Sequence, residues 1–357
     1  MTSKPFTLGI LGSGQLGRMT AIAAAQLGIK SHIYAPDADG SPAAEVAAFA
    51  TNAAYEDTQA LAAFGRSVDA VTSEFENVPA SVMDVLSALV PASPGAKALG
   101  VAQNRLSEKA LAAELGIEVP AYWAVRSASD LQAALLALNG KGVLKTTRLG
   151  YDGKGQMRVS SSDDGAAIFA EMGADELILE SFISFAYEVS FLIGRTANGD
   201  ICHFPASQNH HENGILATSI APADIADNVL KAGQKAIHTM ADALELTGVL
   251  AMETFVTDDN RLIFNEIAPR PHNSFHWTIE GCETSQFTQL VRIMANQPLG
   301  GTQSYGRWHM QNLLGHHMPD LPNHYNQAGR AIHLYGKAET KTDRKMGHVT
   351  WKNREAL

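Results

Sequence analysis

The sequence is poor in several things, and each shortage removes a class of protein. It has only two cysteines among 357 residues, Cys202 and Cys282, far apart. That excludes a disulfide scaffold and fits a reducing compartment, so a cytoplasmic location is expected. Apolar stretches are broken by charge or glycine well before the ~20 residues a membrane span needs. Met1 to Leu11 lacks the basic flank and small-residue cleavage site of a secretory leader. Positive charge is also short: 27 Lys and Arg against 37 Asp and Glu leave a net −10. A general nucleic-acid surface needs a basic face and is not expected. No internal repeat, low-complexity segment or zinc-type His/Cys spacing is present, although eight of the 13 histidines lie beyond Arg270. What remains, at 45% hydrophobic and 18% charged residues, is a globular chain long enough for two or three domains.

The first hundred residues alternate apolar strands (Phe6 to Leu11, Ser31 to Ala35, Ala70 to Ser73) with Ala-rich helical stretches near Gln15 to Leu27, Thr58 to Arg66 and Ala80 to Ala88. Such alternation predicts βαβ units and a parallel sheet. Asn104 to Leu115 reads as a helix stopped at Gly116. Beyond it the pattern becomes α+β. Strands are expected at Gly142 to Thr146, Gln156 to Val159, Leu177 to Ser181, Tyr187 to Gly194 and Ile201 to Gln208, then a helix over Asp224 to Leu244. We therefore expect domains at 1–105, 106–297 and 298–357.

Three motifs carry chemistry. Gly12-Ser13-Gly14-Gln15-Leu16-Gly17 lies between a strand and a helix and matches GxGxxG. Its glycines allow a tight turn and close backbone approach, and the helix start favours an anion. Asp37 stands roughly where a dinucleotide fold places its ribose-binding acid, so a nicotinamide site stays open beside other phosphates or mere packing. The second motif, Gly150-Tyr151-Asp152-Gly153-Lys154-Gly155-Gln156, joins two strands and follows Lys145. It has the form of a lid closing over phosphates, with Lys145 and Lys154 as counter-charges; a solvated hairpin loop is the plainer alternative.

The third is a hairpin, Gly248 to Val256 and Leu262 to Ala268. With Asp259-Asn260 as a two-residue turn, Glu253 falls directly opposite Glu266. Like charges so placed in apolar strands are destabilising unless something bridges them, and two oxygen ligands beside a phosphate site suggest Mg²⁺. Next in sequence comes Ala268-Pro269-Arg270-Pro271-His272-Asn273-Ser274, where two prolines stiffen an arginine able to grip a planar carboxylate or bicarbonate. Lys337, Arg344 and Lys345 form a basic cluster near the end.

In this order, and together with Ser73-Glu74-Phe75-Glu76-Asn77-Val78, Gln103-Asn104-Arg105-Leu106, Glu180-Ser181-Phe182-Ile183, Asn209-x-His211-x-x-Gly214-Ile215-Leu216 and Arg344-Lys345-Met346-Gly347-His348, these motifs resemble the ATP-grasp superfamily. Within it they resemble the carboxyaminoimidazole ribonucleotide synthases of purine biosynthesis, over Thr7 to Trp351. The resemblance implies a Rossmann-like pre-ATP-grasp domain, an ATP-grasp domain and a small mixed C-terminal lobe, usually as a homodimer. It implies ATP contacts at Arg105, Lys145, Gly150 through Gln156 (Gly150, Tyr151, Asp152, Gly153, Lys154, Gly155, Gln156), Glu180, Ser181, Phe182, Ile183, Glu188, His211, Asn265 and Glu266. It places Mg²⁺ on Glu253 and Glu266, and bicarbonate near Arg270, His272, Asn273, Tyr151, Asp152 and Lys154. Aminoimidazole ribonucleotide would meet Gln15, Leu16 and Glu76, with Lys337, Arg344 and Lys345 on its phosphate. The implied reaction forms carboxyphosphate from bicarbonate and ATP, then carboxylates the substrate amine. A formate-dependent glycinamide ribonucleotide transformylase has a similar layout and is the nearest rival; a nicotinamide oxidoreductase and a non-catalytic nucleotide sensor are more distant ones. Two positions depart from the family pattern, Phe275 in place of a glycine and Thr288 in place of a glutamate.

Overall fold

The computed structural model describes residues 5–150 and 155–353. Its first part is a five-stranded parallel sheet in the order Phe49–Asn52, Lys30–Ala35, Thr7–Leu11, Ala70–Ser73, Ala92–Ser93. Thr7–Leu11 is apolar without alternation and buried at every position, as a central strand covered on both faces must be. Helices start where the sequence supplies a cap: the Asp57 side chain accepts from the Gln59 and Ala60 N–H groups, and Asn104 does the same for Leu106 and Ser107. Gly116, at φ +72°, ends the second of these turns as expected.

Two antiparallel sheets follow. The smaller runs Tyr122–Val125, Leu177–Glu180, Lys141–Thr146, Gln156–Ser160 and packs one face on the helices Ala128–Ala137 and Gly165–Met172. The larger has nine strands. Its main path runs Leu262–Ala268, Gly248–Val256, Tyr187–Arg195, Ser207–Glu212, Ile215–Ala221, Trp308–Leu314, Lys345–Lys352, Arg330–Leu334, and Ile201–His203 pairs beside Tyr187–Arg195. The stretch expected as one strand from Ile201 to Gln208 is thus two, separated around Phe204. The tail beyond residue 298 adds its strands to this same sheet, through the pairing of Thr218–Ala221 with Trp308–Gln311.

Helix Asp227–Ala243 covers one face of the large sheet with Val229, Ile237 and Met240. Helix Gln286–Met294 covers the other, and its Leu290, Ile293 and Met294 share a core with Leu16, Met19 and Ala23 of helix Gln15–Gln26. That shared core anchors the glycine loop of the parallel domain beside the large sheet.

The hairpin differs from expectation in an instructive way. Its loop holds three residues, Asp258, Asp259 and Asn260, closed by Thr257 and Arg261, with Asn260 at φ +60°. Leu262 therefore pairs with Val256, one residue off the expected register. A bulge at Asn265 then takes up the extra residue, and from there Glu253 does pair with Glu266. The bulge also turns Asn265 and Glu266, consecutive in sequence, toward one cavity.

Candidate active site

A cleft lies between the two antiparallel sheets. It is lined by Arg105, Lys145, Gln156, Glu188, His211, Glu253, Asn265, Glu266, His272, Asn273 and Lys345, and also by Gly214, Leu216 and Phe255. Residues from six separate motifs of the sequence thus meet in one place. Tyr151, Asp152, Gly153 and Lys154 lie outside the described residues. Gly150 and Gly155 flank them, and the Gly155 carbonyl accepts from the Thr146 N–H at 2.8 Å.

The floor of the cleft is a lysine–carboxylate–lysine chain. Lys109 Nζ lies 3.0 Å from Glu180 Oε1, and Lys145 Nζ 2.8 Å from Oε2. Lys109 has no exposed side-chain surface, and its ammonium also donates to the Asn265 carbonyl at 3.0 Å. Burial would raise the Glu180 carboxyl, but the two ammonium groups more than offset it and hold it at about 2. Burial lowers Lys145, against the pull of Glu180. Glu180 is thereby occupied by lysines. Beyond it Ser181 donates its N–H to Ala121 O, Phe182 is exposed under the Arg158 guanidinium, and Ile183 is half-buried.

The mouth is carboxylate-rich. Arg105 Nη1 donates to Glu266 Oε2 at 2.9 Å; burial would raise Glu266, and Arg105 with Lys145 and Lys109 outweighs that and holds it low. Glu253, opposite, is pushed up to about 7 by burial and by the neighbouring Glu266 and Glu188, against the pull of His211. His272 Nε2 lies 3.5 Å from its Oε1. Glu188 bonds His211 Nδ1 at 2.5 Å, and this contact, with Glu253 nearby, raises the imidazole against the effect of burial. Two carboxylates and the Asn265 amide on one wall form an oxygen-rich donor set that suits a hard divalent cation.

The segment after the hairpin is held from behind. Gln286, fully buried, accepts from the His272 N–H at 2.8 Å and donates to the His272 carbonyl at 2.9 Å. Burial, then Arg270 and Lys345, keep the His272 imidazole neutral, well below its usual value. Both polar atoms of the Asn273 amide are buried with no protein partner, as expected of a group that meets a ligand. Arg270 is oriented by Glu76 through Nε and by the Pro271 carbonyl through Nη1 at 3.2 Å. Phe275 points into the core, fully buried, rather than into the cleft, and Thr288 sits in the first turn of its helix, 3.0 Å from the Ser285 hydroxyl.

Not every expected residue enters the cleft. Lys345 does, whereas Arg344 is exposed and donates to the Glu339 carbonyl at 3.1 Å. Lys337 lies over the Tyr335 ring, and Gly336 approaches Arg18 and Glu45 of the first domain, so this turn faces the glycine loop. Gln15 and Leu16 open the helix of that loop.

Sequence reasoning missed Lys109, Glu108 and Gln286. Arg105, Glu108 and Lys109 are spaced i, i+3, i+4 on an otherwise Ala-rich helix, a pattern that places three charges on one face. Glu108 is pushed up to about 8 by burial and by Glu266, while accepting from the Ile267 N–H at 3.1 Å.

Known proteins resemble this arrangement from end to end. Residues 6–103 match the ribonucleotide synthetase preATP-grasp domain, residues 110–287 the ATP-grasp domain, and residues 309–356 the phosphoribosylaminoimidazole carboxylase C-terminal domain. The chain is 44% identical over 346 residues to the N5-carboxyaminoimidazole ribonucleotide synthase of Brucella melitensis, covering 96% of this chain and 95% of that one. It superimposes with TM-score 0.93 and 40% identity on the crystal structure of an ADP complex of an N5-carboxyaminoimidazole ribonucleotide synthetase, covering 99% and 94%. The Aspergillus clavatus synthase, crystallised with ADP and 5-aminoimidazole ribonucleotide, aligns with TM-score 0.89 and 27% identity over 98% and 94%. With three domain models matching in chain order and identity sustained over nearly the full length, the chain belongs to the N5-carboxyaminoimidazole ribonucleotide synthase family of ATP-grasp enzymes.

Proposed function

We infer that this chain is an ATP-dependent carbon–nitrogen ligase of purine biosynthesis. It carboxylates 5-aminoimidazole ribonucleotide with bicarbonate, giving N5-carboxyaminoimidazole ribonucleotide, ADP and phosphate. The observation that carries the reading is the cleft itself: Glu253, Asn265 and Glu266 on one wall, Arg105, Lys145 and Lys345 as cations, and the ligand-facing Asn273 beside Arg270.

The residue roles follow from charge and position. Arg105 and Lys145 are the counter-charges for ATP phosphates, with the Gly150–Gln156 segment as lid and Ser181 to Ile183 along the adenine side. Glu188, fixed by His211, accepts from the ribose hydroxyls. Glu253, Glu266 and the Asn265 amide would hold Mg²⁺ through their oxygens, and the ion would supply charge neutralisation at the phosphates. Bicarbonate attacks the γ-phosphoryl group to form carboxyphosphate. Arg270, already held by Glu76, and the Asn273 amide position the small anion, so little orientational freedom remains to be lost. Neutral His272 adds a donor or acceptor without a competing charge. Tyr151, Asp152 and Lys154 are assigned to the same space, and lid closure over it would keep water from the labile intermediate. The ribonucleotide is assigned to Gln15, Leu16 and Glu76, with its phosphate on Lys337, Arg344 and Lys345.

We assign residues 1–105, 106–297 and 298–357 as the three domains, the cytoplasm as location and a homodimer as assembly. No helix among the described residues is long and apolar enough to cross a membrane. The test is ADP release from Mg-ATP with aminoimidazole ribonucleotide, with and without bicarbonate, beside a tube holding glycinamide ribonucleotide and formate. Release that requires the imidazole substrate and bicarbonate supports the reading. Release only with formate overturns the substrate.

A further inference from the structure

A glycine loop leading into a helix normally offers its N–H groups to a phosphate. Here that place is already filled from within the chain. Glu74 follows directly on strand Ala70–Ser73, and its N–H donates to the Leu11 carbonyl at 3.0 Å, which fixes its backbone against the neighbouring strand. Its carboxylate turns over the loop. The Gly14 N–H donates to Oε1, and the Gly17 N–H donates to Oε2 at 2.7 Å.

The glycines fit this side chain closely. A Cβ on Gly12, which also has φ +105°, would run into the Glu74 Cγ, and one on Gly14 would stand 2.7 Å from Oε1. Two of the loop's three glycines are thus explained by a carboxylate of the same domain, with no nucleotide required. Glu74 is 9% exposed, so a diphosphate has no room to displace it without moving the strand end. The first-turn amides it does not take are those of Gln15 and Leu16.

We propose that the Glu74 carboxyl group, seated on the loop amides, closes the glycine loop to nucleotide phosphates and holds Gln15 and Leu16 in position for substrate. It is a positioning and specificity-determining residue. Phosphate recognition is thereby displaced to the basic residues of the C-terminal turn, where Gly336 and Lys337 approach the first domain next to the loop. The occupancy of the loop stands without regard to substrate identity; only its bearing on ribonucleotide binding rests on the function proposed above.

The test is rescue of the full-length chain. Glu74→Ala removes a CH₂–COO⁻ fragment, which is the size of acetate. In ~50 mM sodium acetate the variant's Tm is expected to rise by several degrees over matched NaCl, and inorganic phosphate is expected to act likewise. Acetamide, the same size without charge, should do nothing, the wild type should respond to neither acetate nor acetamide, and inorganic phosphate should stabilise the variant by more than it stabilises the wild type. Equal responses to acetate and acetamide, or an acetate response no larger than that of the wild type, overturn the proposal. Should Glu74→Ala not fold, Glu74→Gln keeps the shape and removes the charge. Its ribonucleotide KM is then expected to rise about tenfold, with the ATP KM unchanged. An unchanged ribonucleotide KM, or both constants rising together, contradicts the positioning role. If the wild type does not turn over the ribonucleotide at all, the function reading fails, while the acetate rescue still decides the fate of Glu74.

Discussion

Two carboxylates of one domain, Glu180 and Glu253, are both pushed up by burial, and their neighbours then send them in opposite directions. On the floor of the cleft, Glu180 is gripped by Lys109 and Lys145 and held at about 2. At the mouth, Glu253 faces Glu266 and Glu188 and is pushed up to about 7. A carboxylate with two ammonium partners has its charge spent in the fold. A carboxylate among other carboxylates is a standing cost, one that a bound cation would relieve. If the mouth is the metal site proposed above, the floor serves the fold and the mouth the reaction, and substitutions separate the two.

The largest effect is expected at the mouth. Glu266→Gln should leave the fold intact but reduce Mg²⁺-dependent turnover by 100-fold or more, because a ligand charge is removed while the amide can still accept from Arg105. Steady-state ADP release measures this, with circular dichroism as the control for folding; near-normal turnover would remove Glu266 from the metal site.

The floor should fail by instability instead. A carboxyl held at about 2 where 4.5 is ordinary contributes about 3 kcal/mol of pH-dependent stability. Its folded value is depressed, so the contribution is complete above about pH 4.5 and is lost as pH falls through about 2. Urea unfolding of wild type and Glu180→Gln should show a wide gap at pH 7 that closes toward pH 2. A gap independent of pH would show that shape, not charge, is what Glu180 supplies.

How much of this contrast was legible in the sequence depends on how local the cause is. The parallel domain was readable because strand, glycine turn and helix follow one another, and the Asn104 cap and Gly116 stop were visible as residues. The facing of Glu253 and Glu266 was also readable, although the turn is one residue longer than the spacing suggested. The compensating bulge is not local: the Asn265 carbonyl is taken by Lys109 and the Phe264 N–H by Glu118, each more than 140 residues away. For the same reason the tail gave no sign that it continues the large sheet, since its partner strand lies some 90 residues earlier. Glu74 stood in a quoted motif, but nothing in the spacing told that its side chain folds back onto the glycines.

Smaller effects sharpen the picture. Lys337→Ala should raise the ribonucleotide KM about tenfold with little change in kcat, if the contact is equal in ground and transition states. A large fall in kcat at constant KM would contradict an anchoring role. Smallest is the turn that begins the hairpin. Asn260 holds φ +60°, so Asn260→Ala should cost about 1 kcal/mol and Asn260→Gly almost nothing, by thermal unfolding. Equal costs would mean that the Asn side chain matters more than its backbone.

The most direct test of the contrast is Mn²⁺ binding, followed by electron paramagnetic resonance in the presence of ADP, as a stand-in for Mg²⁺. Wild type and Glu180→Gln, assayed where both are folded, should bind the ion with ADP, while Glu253→Gln/Glu266→Gln should lose that binding yet retain ADP. Undiminished Mn²⁺ binding in the double variant would contradict the account, because the paired carboxylates would then not be the metal site.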